Sequence, residues 1–268
     1  MNWTDEAKEA VSRVPFFVRK KVKRMVEEEA ASSGADSVTI AHVHSRQKKF
    51  LNRMEDEVKG YQVETCFGPG GCPNRALAYD DLVRDLEGQL LKRDLKAFLK
   101  ARVDGPLKMH HEFRISISDC PNACSRPQIA DVGLIGAATP FITKQDCSEC
   151  GECVAICREE AISLEEARPV IDESRCIYCG QCSRICPTGT IIEGQKGFRV
   201  QVGGKLGRHP RLAVEVPGIH QPQIILRIID DCLDHYQRFC QKGERFGEVL
   251  EQTGTEGIQQ FFGFSVCP

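Results

Sequence analysis

The chain has no apolar run approaching the ~20 residues that a membrane span requires. It also lacks any surplus of charge. Thirty-six basic residues face 38 acidic ones, a net −2, which argues against a nucleic-acid binder or a charged disordered tail. The opening Met1-Asn2-Trp3-Thr4-Asp5-Glu6 has neither a basic stretch nor an apolar one, so no secretion signal is expected. That matters for the fifteen cysteines. In an exported chain they would suggest disulfides, whereas in an unexported one CxxC spacing points to metal. The expected compartment is the cytosol of a cell working with little oxygen.

Twelve of these cysteines fall into three sets of four. Cys147, Cys150, Cys153 and Cys157 read C-x2-C-x2-C-x3-C, and so do Cys176, Cys179, Cys182 and Cys186. The third set is split between Cys66 and Cys72, and Cys120 and Cys124. Thiolates held in this way imply one-electron redox chemistry on iron–sulfur clusters. A pair of zinc sites is the alternative for the tandem sets, although zinc ribbons seldom use four evenly stepped cysteines twice. For the split set, spacing alone leaves buried free thiols open. Cys232 and Cys240 lie eight apart on a helical pattern and read as small buried apolar residues, and Cys267 as incidental.

A length of 268 residues accommodates one large core or two to three small modules. Residues 140–194 form an insert with a 29-residue repeat, in which Ala161-Ile162 maps onto Thr190-Ile191. Units this small need their clusters as staples. Between Pro140 and Glu193 ten acidic residues face five basic ones, a balance usual for electron transfer. Residues 1–45 read as a small helical domain, with Thr4 as an N-cap and Pro15 in the first turn of a second helix. There Val18, Val22, Met25 and Val26 share a side with Glu29. Arg19, Lys20, Lys23 and Arg24 crowd the rest, either as a solvated face or as a docking site for an acidic redox partner. Helix continues from Arg46 to Val58.

From Tyr61 the pattern is α+β. Tyr61–Thr65 reads as a strand. Leu82, Leu86, Leu90, Leu95 and Leu99 suggest two helices broken near Gly88. His111–Ser118 alternates as a half-buried strand leading into Cys120. Phe198–Val202 and Leu212–Val216 are further strands. The last 45 or so residues are helical, with Ile225, Ile228, Ile229, Cys232, Leu233, Tyr236 and Phe239 as the packed stripe.

The insert ends Cys186-Pro187 and resembles a two-cluster bacterial ferredoxin, although Arg158 stands after Cys157 where proline is usual. The resemblance implies one [4Fe–4S] cluster on Cys147, Cys150, Cys153 and Cys186. It implies another on Cys176, Cys179, Cys182 and Cys157, because the fourth cysteine of each run crosses over. Cys66-Phe67-Gly68-Pro69-Gly70-Gly71-Cys72-Pro73 is similar to the sirohaem-binding domain of sulfite and nitrite reductases. So are Asp119-Cys120-Pro121-Asn122-Ala123-Cys124-Ser125-Arg126, Asp131-Val132-Gly133-Leu134-Ile135-Gly136 and Gly203-Gly204-Lys205-Leu206-Gly207-Arg208-His209-Pro210. That resemblance runs from about Tyr61 to Gly254. It implies a discontinuous domain over 60–139 and 195–262, interrupted by the ferredoxin-type insert. It also implies a third [4Fe–4S] cluster on Cys66, Cys72, Cys120 and Cys124, with Cys124 shared with a sirohaem. Cofactor contacts are then expected from Cys124, Asn122, Arg75, Arg126, Gly203, Gly204, Lys205 and Arg208, where each lone cation is otherwise a surface charge. Trp3-Thr4, Glu6-Ala7 and Val14-Pro15-Phe16-Phe17-Val18-Arg19 resemble a small C-terminal domain found in light-independent protochlorophyllide reductase, implying proximity to a tetrapyrrole.

The implied activity is six-electron reduction of sulfite to sulfide, or nitrite to ammonia. A small oxyanion is the substrate, reduced ferredoxin or another low-potential donor supplies electrons through the insert, and a homo-oligomer restores the family's twofold symmetry. Arg114, Lys108, His111 and Lys205 are the expected catalytic residues. The family often has Lys-x-Lys before this cysteine, where this chain has Glu112 and Arg114, and Asp119 replaces a common glycine. A carboxylate about 5 Å from an anionic substrate costs roughly 3 kcal/mol at an effective dielectric near 20. The alternative is therefore a non-catalytic electron-transfer or sirohaem-carrying subunit needing a partner to complete its anion site. A tetrapyrrole reductase is a third reading, resting on the N-terminal segment alone.

Overall fold

A computed structural model describes residues 1–77, 79 and 81–253, the side chains of residues 53 and 54 excepted. Cys267 and the 254–262 end of the discontinuous domain lie outside the described residues. The chain divides into two compact units, Met1–Lys59 with Asp104–His110, and Gly60–Val103 with His111 onward.

In the first unit, strands β1 (Asn2–Trp3) and β2 (Ser37–Val38) pair in parallel beside helices α1 (Asp5–Ser12), α2 (Phe16–Ser32) and α3 (Ile40–Glu57). Thr4 caps α1 by accepting the Ala7 amide at 3.4 Å. Pro15 stands one residue ahead of α2, as its N-cap. Ala7, Val26, Ala30 and Val38 form the core, and Trp3 and Val22 pack against it. The Trp3 indole donates to Glu27 at 2.9 Å. Lys20, Lys23 and Arg24 are exposed, as are Phe16 and Phe17.

The second unit is built on a five-stranded sheet in the order β3 (Tyr61–Thr65), β4 (Phe113–Ser118), β5 (Val132–Ile142), β8 (Ile191–Val202), β9 (Val214–His220). The first three strands are parallel, and β8 and β9 run antiparallel to their neighbours. The crossover from β3 to β4 carries α4 (Leu82–Leu91) and α5 (Leu95–Lys100). The expected break at Gly88 does not occur, since α4 runs through it and ends at Lys92. A mid-helix glycine costs only about 1 kcal/mol, and Leu82, Leu86 and Leu90 are all buried, so packing overrides it. Strand β4 is also not half-buried. Ser116 and Ser118 are buried along with Phe113, Ile115 and Ile117, because Ser125 folds back over that face. The second return strand begins at Val214, not Leu212.

Helices α8 (Pro222–Phe239) and α9 (Phe246–Thr253) follow the sheet. Ile225, Ile228, Ile229, Cys232, Leu233 and Tyr236 are buried as the spacing predicts, whereas Phe239 is 38% exposed. Cys232 and Cys240 are both buried.

Between β5 and β8 the chain makes α6 (Glu152–Ile156), the hairpin of β6 (Ile162–Glu165) and β7 (Arg168–Ile171), and α7 (Gln181–Ile185). The 29-residue repeat reappears in the backbone. Left-handed φ angles occur at Glu149 and Tyr178, at Gly151 and Gly180, and at Glu160 and Gly189. Ala161, Ile162, Thr190 and Ile191 are all buried.

Candidate functional site

Parallel pairing of β3 with β4 sets Thr65 beside Ile117. The loops leaving the carboxyl ends of these strands therefore start side by side, and they carry Cys66–Cys72 and Cys120–Cys124. Open parallel sheets bind ligands at this edge. Cys66 Sγ accepts the amides of Gly68 and Asp119, each at 3.3 Å. Ser125 ties the second loop to β4, its hydroxyl donating to the Ile117 carbonyl at 2.8 Å. Burial raises the Cys120 thiol, and the nearby charges of Cys124, Cys66 and Cys72 add to it against an opposing Asn122 amide. All four sulfurs of the split set thus lie in one neighbourhood. Cys124 is the exposed member, and the Asn122 side-chain amide donates to its sulfur at 2.9 Å.

The tandem sets are brought together in crossed fashion. One cavity is lined by Cys147, Cys150, Cys153 and Cys186, and the other by Cys157, Cys176, Cys179 and Cys182. Backbone amides point at the sulfurs, with Glu149 on Cys147 at 3.4 Å, Ala161 on Cys157 at 3.3 Å and Ile191 on Cys186 at 3.4 Å. Burial pushes the Cys182 thiol up to about 11 and also raises Cys153 and Cys176. For Cys186 burial is outweighed by donors that include the Ile191 amide and the Thr188 hydroxyl, and the thiol is lowered. Thiols raised by burial become thiolates only when cations compensate them, which iron does. Among the described residues no three His, Cys, Asp or Glu side chains converge as the ligands of a single ion do. The cysteines surround each cavity instead, a donor set that fits a cluster whose irons take one thiolate each.

The expected cations are placed differently. Arg75 donates to Asp119 at 2.6 Å, Arg114 to Glu64 at 2.6 Å, and the buried Lys205 to Glu248 at 2.8 Å. Arg126, Arg208 and His209 are exposed, as is Lys108 in the first unit, while His111 is half-buried. Gly203 and Gly204 are buried, and a Cβ on Gly204 would meet the carbonyls of Gln128 and Ala130 at 2.6 and 2.7 Å. Close packing of this chain on itself accounts for that glycine. Glu112 accepts the Gly60 amide at 3.1 Å and the Gln62 side chain at 2.6 Å. It precedes the first residue of β4, roughly 20 Å of strand from the end that leads to Cys120. Its carboxylate therefore faces the opposite edge of the sheet, and the repulsion expected from the sequence does not arise there.

Two charged residues have partners that the sequence does not reveal. Asp131 is fully buried, pairs with Arg245 and accepts the Arg114 amide at 2.8 Å. Arg184 donates to the carbonyls of Cys179 at 3.1 Å and Arg75 at 2.6 Å. Asp131 opens one of the segments that carry the family resemblance and Arg184 is an ordinary charge in sequence, and only the fold gives either its partners.

Residues 61–263 match the nitrite and sulphite reductase 4Fe-4S domain, and residues 3–46 match the proto-chlorophyllide reductase 57 kD subunit. A coenzyme F420-dependent sulfite reductase of Methanocaldococcus jannaschii is 30% identical over 241 residues, covering 88% of this chain and 36% of that protein. A light-independent protochlorophyllide reductase chain of Chlorobium limicola is 47% identical over 51 residues, 19% of this chain and 9% of that protein. The crystal structure of dissimilatory sulfite reductase I shares the fold, with a TM-score of 0.54 at 18% identity over 77% of this chain and 52% of that one. This chain thus spans about a third of the length of the methanogen relative.

Proposed function

Because the chain belongs to the nitrite and sulphite reductase 4Fe-4S domain family, we propose that it is a sirohaem iron–sulfur oxidoreductase. Its reaction is the reduction of sulfite to sulfide, or of nitrite to ammonia, with electrons entering through the 140–194 insert. The observation that carries this reading is the convergence of Cys66, Cys72, Cys120 and Cys124 with Cys124 outermost. These four would hold a [4Fe–4S] cluster, and the exposed Cys124 sulfur is the one able to reach a second group. When bound, sirohaem and its cluster supply one-electron steps and an iron on which an oxyanion is reduced. Asn122 holds the Cys124 thiolate by its amide, which keeps that sulfur oriented. The exposed Arg126 and Arg208 are free to turn toward the carboxylates of the macrocycle. His111, like Glu112, precedes β4 and lies away from the end that leads to Cys120, and Lys108 belongs to the first unit, so neither is proposed as a source of charge or protons for the substrate.

A second reading is favoured by the ion pairs. Arg75, Arg114 and Lys205 already rest on carboxylates of this chain, so an incoming anion would compete with Asp119, Glu64 and Glu248. In that reading the chain carries electrons or sirohaem and a partner completes the anion site. Anaerobic purification followed by iron and sirohaem analysis, then viologen-driven assays of sulfide from sulfite and ammonia from nitrite, separates the two. Turnover supports the reductase. Full cofactor loading without turnover of either anion leaves the carrier, and absence of sirohaem together with iron for only two clusters sinks both.

A further inference from the structure

Eight cysteines in two crossed sets leave open which set adjoins the split one. The contacts of α7 distinguish them. Arg184 stands between Cys182 and Cys186, and its guanidinium spans two loops. It donates to the carbonyls of Cys179 at 3.1 Å and Gly180 at 3.3 Å, and to the carbonyl of Arg75 at 2.6 Å. Arg75 continues the path, its own guanidinium donating to Asp119 at 2.6 Å, and the Asp119 amide donates to Cys66 Sγ at 3.3 Å. An unbroken run of covalent and hydrogen bonds therefore joins Cys179 to Cys66.

Strand β5 makes a second connection. Ala138 donates its amide to the Tyr178 carbonyl at 2.8 Å and bridges Cys179. Gly136, two residues earlier and about 7 Å along the strand, lies so close to Asp119 that a Cβ would meet its carbonyl at 2.4 Å. The other crossed set is turned elsewhere. Its cavity is closed by Pro169, Thr188, Thr190 and Ile191, all within the insert, and its Cys150 is exposed.

We propose that the insert is an ordered wire. Cys147, Cys150, Cys153 and Cys186 form the entry site, Cys157, Cys176, Cys179 and Cys182 form the relay beside the split set, and Arg184 is the positioning residue that fastens relay to split set. The proposal rests on the electron route stated above. Each electron is taken from an external low-potential one-electron donor, such as a reduced ferredoxin or dithionite. It passes from set to set without making or breaking a bond or moving a proton, and every set it leaves returns to its oxidised state. The carbonyls of Cys179 and Arg75 accept from two different nitrogens of one planar guanidinium, whose fork geometry lysine does not reproduce.

The test uses the reconstituted full chain under anaerobic conditions and low-temperature electron paramagnetic resonance during stepwise reduction. Cys150→Ser and Cys179→Ser mark the signals of the entry and relay sets. The expected result is that the signal altered by Cys179→Ser is magnetically broadened once the split set is reduced, and that the signal altered by Cys150→Ser is not. The reverse assignment, or iron for fewer than three clusters in the unaltered chain, overturns the order. In Arg184→Ala with a full iron complement, flash photoreduction should still load the entry set at the unaltered rate, while arrival at the split set slows. Arg184→Lys should fall with Ala. Arrival at the unaltered rate in both overturns the role of Arg184. If Arg184→Ala loses iron, the Lys variant and the broadening pattern of the Arg184-containing protein decide. Neither signal depends on sulfite or nitrite turnover, so an inactive chain with the expected broadening refutes the reductase reading and keeps the wire.

Discussion

At the scale of single residues, buried charge decides what can be changed. Asp131 is wholly buried, and burial raises its carboxyl against the pull of Arg245 and the Arg114 amide. Removing one partner of such a pair strands the other in a low-dielectric interior, at about 3–5 kcal/mol. Arg245→Met should therefore lower the melting temperature sharply, and adding Asp131→Asn should restore part of it, as calorimetry of both variants would show. Glu112 is suspect in the sequence because of its place before Cys120, but strand direction puts it at the far end of β4. Glu112→Lys is thus expected to destabilise the protein by removing the acceptor of Gly60 and Gln62, without raising anion turnover. An active Lys variant of unchanged stability would contradict this placement. His235 gives a pH dependence. Burial, followed by the charge of Arg238, lowers it from 6.5. Below about pH 6.5 the unfolded chain then binds a proton that the folded chain refuses, so stability falls as pH drops through the folded value. His235→Gln should flatten the part of the melting-temperature profile that falls below about pH 6.5.

At the scale of elements, much of the fold was legible wherever one periodicity dominated. The leucines of α4 and the stripe of α8 are core because spacing and burial agree, and the cysteine runs carried their own repeat into the backbone angles. What the sequence hid was set by tertiary partners. Gly88 reads as a break but sits inside α4, and the alternation of β4 reads as one wet face although Ser125 covers it. Glycines were ambiguous for the same reason, since a glycine needed by a cofactor and one needed by a neighbouring carbonyl look identical in sequence. Gly204 is of the second kind. Gly204→Ala should cost about 1–3 kcal/mol by overpacking against fixed backbone. Gly70, by contrast, has nothing within 4 Å of its missing Cβ. Gly70→Ala should leave the melting temperature nearly unchanged, and lower sirohaem content in that variant would place the macrocycle over the Cys66–Cys72 loop. If Gly204→Ala proves as stable as the parent, the packing argument for that glycine is wrong.

At the scale of the molecule, the proposed clusters predict that the two units differ in their dependence on iron. All fifteen cysteines follow Lys59 and avoid 104–110, so the first unit contains none. Its core of Ala7, Val26, Ala30 and Val38 is conventional, and Trp3, the chain's single tryptophan, reports on it. The insert is the opposite case. Its core is Cys153, Ile162, Cys182 and Ile191, with Cys157, Cys186 and Ile171 at the margin, so four of these seven residues are proposed cluster ligands. A segment this small cannot offset its own conformational entropy by burial alone. Burial also raises several of its thiols, so loss of iron leaves protonated side chains around an empty centre. Chelation of the reduced protein should therefore open residues 143–190 first, read as tryptic cuts after Arg158 and Arg175, both exposed. The Trp3 emission maximum should stay where it was, because the contact with Glu27 and the helical core do not involve the metal. A red shift of Trp3 in step with the cuts would show that the first unit is held by the clusters after all, and cuts appearing first within β4 or β5 would show that the sheet depends on iron more than the insert does.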